Sequence, residues 1–186
     1  PHTSLEAKNK VIALAKEISK YGSNINLYVM PFTKLQEAIY KNIDNTYMIT
    51  IMRRMMYRIA EKLANKIKAK VIINGESIGQ VASQTLSSMY AINNVTNMPI
   101  IRPVSCYDKL EIIEIANKIN TFNISILPYE DCCTIFVPKH PVINPSLDKC
   151  IFYESNIEYE EMIEECILNT EKININDYCK RSSNLL

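Results

Sequence analysis

Residues 71–84 read VIINGESIGQVASQ, and their reading decides the fold class. Val71-Ile72-Ile73-Asn74 is a short, nearly continuous apolar run without the alternation of a half-buried strand. Such a run marks a parallel strand covered on both faces. Gly75 and Gly79 punctuate the next few residues, and helical spacing then resumes, so the stretch predicts a strand, a turn and a helix over about 79–92. In open α/β sheets ligands bind beyond the carboxyl ends of the strands, where helix N-termini present free N–H groups to anions. Gly75 lets a ligand lie against the backbone, and Gln84, with two donors and an acceptor, can reach a base or a phosphate. The stretch is neither GxxxxGKS nor GxGxxG, and an ordinary strand-to-helix turn accounts for its spacing equally well.

The flanking sequence continues the same alternation. Residues 4–21 predict an amphipathic helix capped by Ser4 or Thr3, with Val11, Ile12, Leu14, Ala15 and Ile18 at helical spacing and Gly22 as its stop. NLYVMPF (26–32) predicts a strand ended by Pro31, and Thr33-Lys-Leu-Gln36 has the pattern of a capping box. A long helix is expected over 47–68, burying Met52, Met55, Met56, Ile59, Leu63 and Ile67. PIIRPVS (99–105) predicts another strand, Asp108 with Glu111 opens a helix to about Asn120, and ISILP (124–128) suits a last short strand. IEYEEMIEECI (157–167) reads as an acidic helix and INDYCKRSSNLL as a loose tail. Strands and helices alternating at this spacing argue an α/β domain with a parallel sheet.

The bulk numbers narrow the function. The 186 residues suffice for one domain with a sizeable core. With 21 basic and 20 acidic residues there is no global basic field, so any RNA contact rests on local patches. No run approaches a membrane span and no signal peptide is visible, so the six cysteines are expected as thiols in a reducing cytoplasm. Only three glycines are present, few for a phosphate-binding loop. The chain opens Pro1-His2-Thr3-Ser4 without an initiator Met, as a piece of a longer protein would.

Two stretches carry reactive residue types. IMRRMMYR (51–58) places Arg54 and Arg58 on one helix face at i, i+4, with Arg53 about a quarter-turn away. Arginine grips phosphate bidentately, but a solvated face beside a methionine core stripe is the more frequent meaning of such a run. PYEDCCTIFVPKHP (128–141) sets Cys132 and Cys133 side by side in a turn-rich, polar segment of the kind that carries function. No CxxC occurs, and adjacent cysteines seldom converge on one metal, so no metal site is expected. A vicinal disulfide is strained. A nucleophile and two small buried residues both remain open, with Lys139 and His140 placed to lower a thiol pKa and Glu130 and Asp131 to raise it. His140 by itself reads as a surface residue.

Taken together, TIMRRMMYRIAE (50–61), INGESIGQVASQTL (73–86), PIIRPVSCYDKLEIIEIANKI (99–119) and ILPYEDCCTIFVPKHP (126–141) resemble the tRNA 4-thiouridine synthetase family, sulfurtransferases that also supply sulfur for the thiamine thiazole. The match runs in order over about residues 1–145. The resemblance implies an adenine-nucleotide α-hydrolase-like (Rossmann-like) parallel sheet, with residues 1–145 a partial pyrophosphate-loop domain lacking its first two strands and 146–186 a helical extension. It implies ATP with magnesium (Mg2+), adenylation of the C4 oxygen of a tRNA uridine, and displacement of AMP by persulfide sulfur from a cysteine desulfurase. Nucleotide contacts carry over to Arg53, Gly75 and Gln84. The essential cysteine carries over to Cys133, with Asp131 in the same site, and the full-length protein is implied to be a homodimer. The family's Ser-Gly-Gly-x-Asp-Ser loop has no counterpart, since the sequence contains no Gly-Gly. The chain alone is therefore expected neither to cleave ATP nor to thiolate tRNA, and its sheet to be gapped, rearranged or completed by another chain. Alternatives are a related ATP-dependent enzyme of the same fold that activates another substrate, and a non-catalytic fragment.

Overall fold

Ser4 accepts the Ala7 N–H on its hydroxyl at 3.2 Å, which caps helix α1 (Leu5–Ser19) as its sequence predicts. The computed structural model describes residues 4–22, 24–129, 138 and 140–176. Following α1 come β1 (Asn26–Val29), α2 (Thr33–Asn42), α3 (Met48–Ile67), β2 (Ile72–Ile73), a 3-10 turn (Ala82–Gln84) and α4 (Leu86–Asn93). Then come β3 (Ile100–Ile101), α5 (Lys109–Lys118), α6 (Phe122–Ser125), α7 (Leu147–Glu154), α8 (Tyr159–Leu168) and β4 (Glu171–Asn174). The architecture is mixed α/β. The described strands form two separate pairs, the parallel β2–β3 and the antiparallel β1–β4.

The chain divides into two compact units. The first comprises residues 1–30, 109–135 and 170–186. Here α1 buries Ala7, Ile12 and Ala15, and Ile12 and Ala15 meet Ile175, with Ile25, Leu27 and Ile173 against them. Val11 and Ile18, expected in this core, are exposed. β1 pairs with β4 from Asn26↔Asn174 to Val29↔Glu171, and Ile175 donates its N–H to Ile25 O at 2.9 Å. The start of the expected loose tail is thus packed, because Ile175 is fully buried. The strand expected over 124–128 is instead α6 and a turn after it, in which the Ser125 hydroxyl donates to Phe122 O at 2.7 Å. Short apolar runs do not separate strand from helix by pattern alone.

The second unit, residues 31–108 and 136–169, is built on α3. This helix buries Ile51, Met52, Met55 and Ile59, and Arg54 with them; α2, α4, α7 and α8 pack around it. Ile67, expected on its buried side, is exposed. The expected capping box at Thr33 is absent: α2 starts at Thr33 after Phe32, with no side-chain cap. β2 runs parallel to β3 in the register Ile72↔Ile100, Ile73↔Ile101. The helix expected from residue 79 begins only at Leu86. Gly79 sits at φ +80 and Thr85 is extended, so the backbone cannot run helical through either. The Thr85 hydroxyl then accepts the Ser88 N–H at 3.1 Å and caps α4.

Candidate functional site

The loop that leaves β2 is tied down at several points. Ile78 donates its N–H to Ser105 O at 2.9 Å, and the Ser77 hydroxyl donates to Tyr107 O at 2.7 Å, so the loop after β3 holds the loop after β2. Gly79 N–H donates to Gln84 O at 2.9 Å and closes the turn. A Cβ built on Gly75 meets nothing within 4 Å, so no packing in the chain itself demands glycine there. The residue is exposed at the carboxyl end of a parallel strand, where α/β sheets take their ligands.

Glu76, the next residue, is 3% exposed and gathers four side chains. Its Oε2 accepts from Arg102 Nε at 2.8 Å, Asn74 Nδ2 at 2.9 Å and the Tyr57 hydroxyl at 3.1 Å. Its Oε1 accepts from Arg53 Nη2. Burial pushes the Glu76 carboxyl up, but the hydrogen bond from Arg102, the charge and hydrogen bond of Arg53 and the Asn74 amide outweigh it, and the net pKa lies below the ordinary 4.5. Tyr57 is raised above its ordinary value by burial and by the adjacent Glu76 carboxylate, so it stays a neutral phenol.

The three arginines of α3 therefore separate. Arg53 joins Glu76 on the β2 side. Arg54, 1% exposed, pairs bidentately with Glu154 of α7, Nε to Oε1 at 2.7 Å and Nη2 to Oε2 at 2.8 Å, and its Nη1 donates to Ala91 O. Arg58 adds a bond to Glu154 Oε2 at 3.0 Å and lies over the Tyr159 ring at 4.9 Å. Arg54 is thus structural, neither solvated nor free for phosphate. A groove of about 620 Å³ beside α3 and α8 is lined by Arg58, Lys62, Glu61, Glu160, Glu161 and Glu164 among others, and its excess of carboxylates disfavours a phosphorylated ligand.

Of the residues singled out for nucleotide binding, Arg53 reaches the neighbour of Gly75 through Glu76, and Gln84 closes the same loop through its carbonyl. Among the described residues Arg53 Nε, Arg58 Nε and Gln84 Oε1 are buried without a hydrogen-bond partner, the first and last of them on residues that contact this loop. Buried polar atoms are nearly always paired, so a lone donor on Arg53 and a lone acceptor on Gln84 leave capacity for the polar groups of a nucleotide. Glu76, Tyr57 and Arg102 are not singled out by the sequence, because their convergence depends on contacts between residues up to 45 positions apart. Cys133, Asp131 and Cys132 lie outside the described residues. Cys106 is exposed in the loop after β3, whereas Cys150 and Cys166 are buried and burial pushes both thiols up. His140 is exposed, as expected. Among the described residues no cluster of three or more His, Cys, Asp or Glu side chains can hold a metal ion.

Residues 1–159 match the model of the family described as thiamine biosynthesis protein (ThiI). The chain is 49% identical over 178 residues to a "Probable tRNA sulfurtransferase" of Geobacillus sp. (strain WCH70), covering 96% of this chain and 44% of that protein. It is 53% identical over 177 residues to one from Halothermothrix orenii, covering 94% and 45%. A crystal structure of a 4-thiouridine synthetase–RNA complex with bound ATP superimposes with a TM-score of 0.86 at 37% identity, over 94% of this chain and 46% of that one. The chain thus spans less than half the length of the relatives it matches. The family-model match over most of its residues, with the parallel β2–β3 pair and the loop after it, shows that this chain belongs to the thiamine biosynthesis protein (ThiI) family.

Proposed function

We propose that the chain is the nucleotide- and sulfur-handling part of an ATP-dependent tRNA sulfurtransferase that makes 4-thiouridine. The observation that carries the reading is that Arg53, bonded to Glu76, and Gln84, bonded to Gly79, each keep a buried polar atom without a partner among the described residues, on a loop whose backbone is open at Gly75. The ATP and RNA in the similar synthetase structure support it. ATP would lie at the carboxyl end of β2, with Arg53 toward its phosphates and Gln84 toward a donor on the nucleotide. Magnesium has no ligand cluster among the described residues and would arrive on the nucleotide's phosphates.

In the reaction proposed, adenylation of the uridine C4 oxygen creates a leaving group. The terminal sulfur of a Cys133 persulfide attacks C4, the S–C4 bond forms, and the C4–O bond breaks as AMP departs with its electron pair. A second thiol then attacks the Cys133 sulfur, leaving a protein disulfide and the thiolated base. Cys132 and the exposed Cys106 are the candidates for that second thiol, and Asp131 belongs to the same site. The sulfur comes from a cysteine desulfurase, and the same persulfide supplies thiamine thiazole synthesis, in keeping with the family description. The setting is the cytoplasm, and the full-length protein is a homodimer; no helix among the described residues is long and apolar enough to cross a membrane.

Lacking a Gly-Gly phosphate loop, the chain alone is proposed not to cleave ATP. The test mixes it with a cysteine desulfurase and cysteine, and peptide mass spectrometry locates the added sulfur. Sulfur on Cys133, absent in Cys133→Ser, is expected. A folded chain that loads no cysteine would leave the rival reading, a non-catalytic fragment.

A further inference from the structure

We propose that Glu76 is a positioning residue: with Oε2 anchored by Arg102, Tyr57 and Asn74, its Oε1 aims the Arg53 guanidinium at the phosphate groups of a nucleotide. The inference rests on the reading of Arg53 as a nucleotide contact and names the group that acts through it.

Three observations carry it. The two oxygens of Glu76 are used asymmetrically, with three donors on Oε2 and Arg53 on Oε1. The backbone agrees, because Glu76 N–H donates to Asn74 Oδ1 at 3.1 Å and so fixes the carboxylate against β2. Next, the two arginines differ in what they have left to give. Arg102 spends Nε on Glu76 and Nη2 on Asn93 Oδ1 at 2.7 Å, with the Tyr57 hydroxyl at 3.4 Å, and its side chain is 14% exposed. Arg53 is 26% exposed, and its buried Nε has no partner among the described residues. Arg102 is therefore scaffold, and Arg53 is the guanidinium free to take a ligand. Third, the cluster holds two guanidiniums against one carboxylate, with Tyr57 a neutral phenol. One positive charge is unbalanced beside the exposed backbone of Gly75, and an anion there completes it.

The geometry also explains why a carboxylate is required. A carboxylate accepts on both oxygens, whereas a glutamine would turn an N–H₂ toward either Arg53 or the Arg102 side of the cluster. Pre-orienting a long arginine saves the ordering cost that binding would otherwise incur.

The experiment compares the wild-type chain with Glu76→Gln, Arg53→Ala, Asn74→Ala and Tyr57→Phe. It reads ATP affinity by calorimetry, the Arg53 Nε–H resonance by 15N NMR and folding by thermal melting. Arg53→Ala weakening ATP binding establishes the nucleotide reading. Glu76→Gln is then expected to weaken ATP binding about tenfold or more while the chain stays folded, with the Arg53 Nε–H signal averaged toward that of a free side chain. Asn74→Ala and Tyr57→Phe strip anchors from Oε2 and leave every charge in place. If Glu76→Gln fails to fold, these two decide, with ATP affinity expected to fall about threefold and the Arg53 signal to broaden. ATP affinity unchanged in the folded Glu76→Gln chain, or in both anchor variants, overturns the positioning role. If the wild type binds no ATP, or Arg53→Ala binds it as well as the wild type does, the nucleotide reading falls instead. The ligand-free Arg53 signal then judges only whether Glu76 orders Arg53: a fixed Nε–H in Glu76→Gln would refute that too.

Discussion

Replacing Glu154 by leucine should cost this protein much of its stability without touching the proposed site. Glu154 is 4% exposed and is the counter-charge of Arg54, which is 1% exposed, and of Arg58. Removing one partner of a buried pair leaves an uncompensated charge, at about 3–5 kcal/mol. For a chain of this size each kcal/mol moves Tm by about 2–4 °C, so the variant should melt roughly 6–20 °C below wild type. Against a total stability of about 5–15 kcal/mol, the loss is a large fraction of the whole. The assay is melting followed by circular dichroism, with urea unfolding to check that the m-value holds. A companion Arg54→Met, Glu154→Leu chain removes both charges. It also leaves Ala91 O without the Arg54 donor, at about 1–3 kcal/mol. Since apolar replacement of a whole buried pair is often neutral or favourable by about 1–4 kcal/mol, the double variant should recover most of the loss. Two outcomes would refute the reasoning: a single variant that melts with the wild type, or a double variant no more stable than the single.

Three other perturbations have definite signs. The folded-state pKa of Glu76 lies below its ordinary 4.5, so its ionised form contributes stability that is fully present above that value and lost as the pH falls through the folded pKa; an acid-unfolding titration should show Glu76→Gln flattening the profile below pH 4.5, and an unchanged slope would contradict the network. Native-state alkylation with peptide mapping should label Cys106 and spare Cys150 and Cys166, whose thiols are buried and shifted up, whereas unfolding in urea should expose all three. Gly75→Ala should change stability by no more than about 0.5 kcal/mol, since its Cβ meets nothing, while weakening ATP binding if a ligand lies against that backbone; a Tm shift without an affinity change would reverse that assignment.

Periodicity made most of the local structure legible. The spacing of Met52, Met55 and Ile59 marked α3 almost to its ends, and the brief apolar run at 71–74 marked a parallel strand. Ser4 declared the start of α1 because a cap is satisfied within one turn. By contrast β4 carries only Ile173 as an apolar residue, and its partner Asn26 lies 148 positions from Asn174, so no local pattern announced it.

What the sequence by itself determined is what neighbouring residues decide among themselves: most of the helices, the β2 strand with its glycine-punctuated loop, and the long words by which the chain resembles its family. What only the tertiary structure decided is the state of the charged side chains. Arg53 and Arg54 are consecutive in the chain, and helical spacing separates their faces without saying which partner each meets. Folding gives Arg54 a carboxylate from 100 residues away and seals it in the core, while it gives Arg53 the carboxylate beside Gly75 and leaves it partly open. The physical reason is that burying a charge is tolerable only where partners converge on it, and the partners of Glu76 come from residues 53, 57, 74 and 102, which meet only in the folded chain.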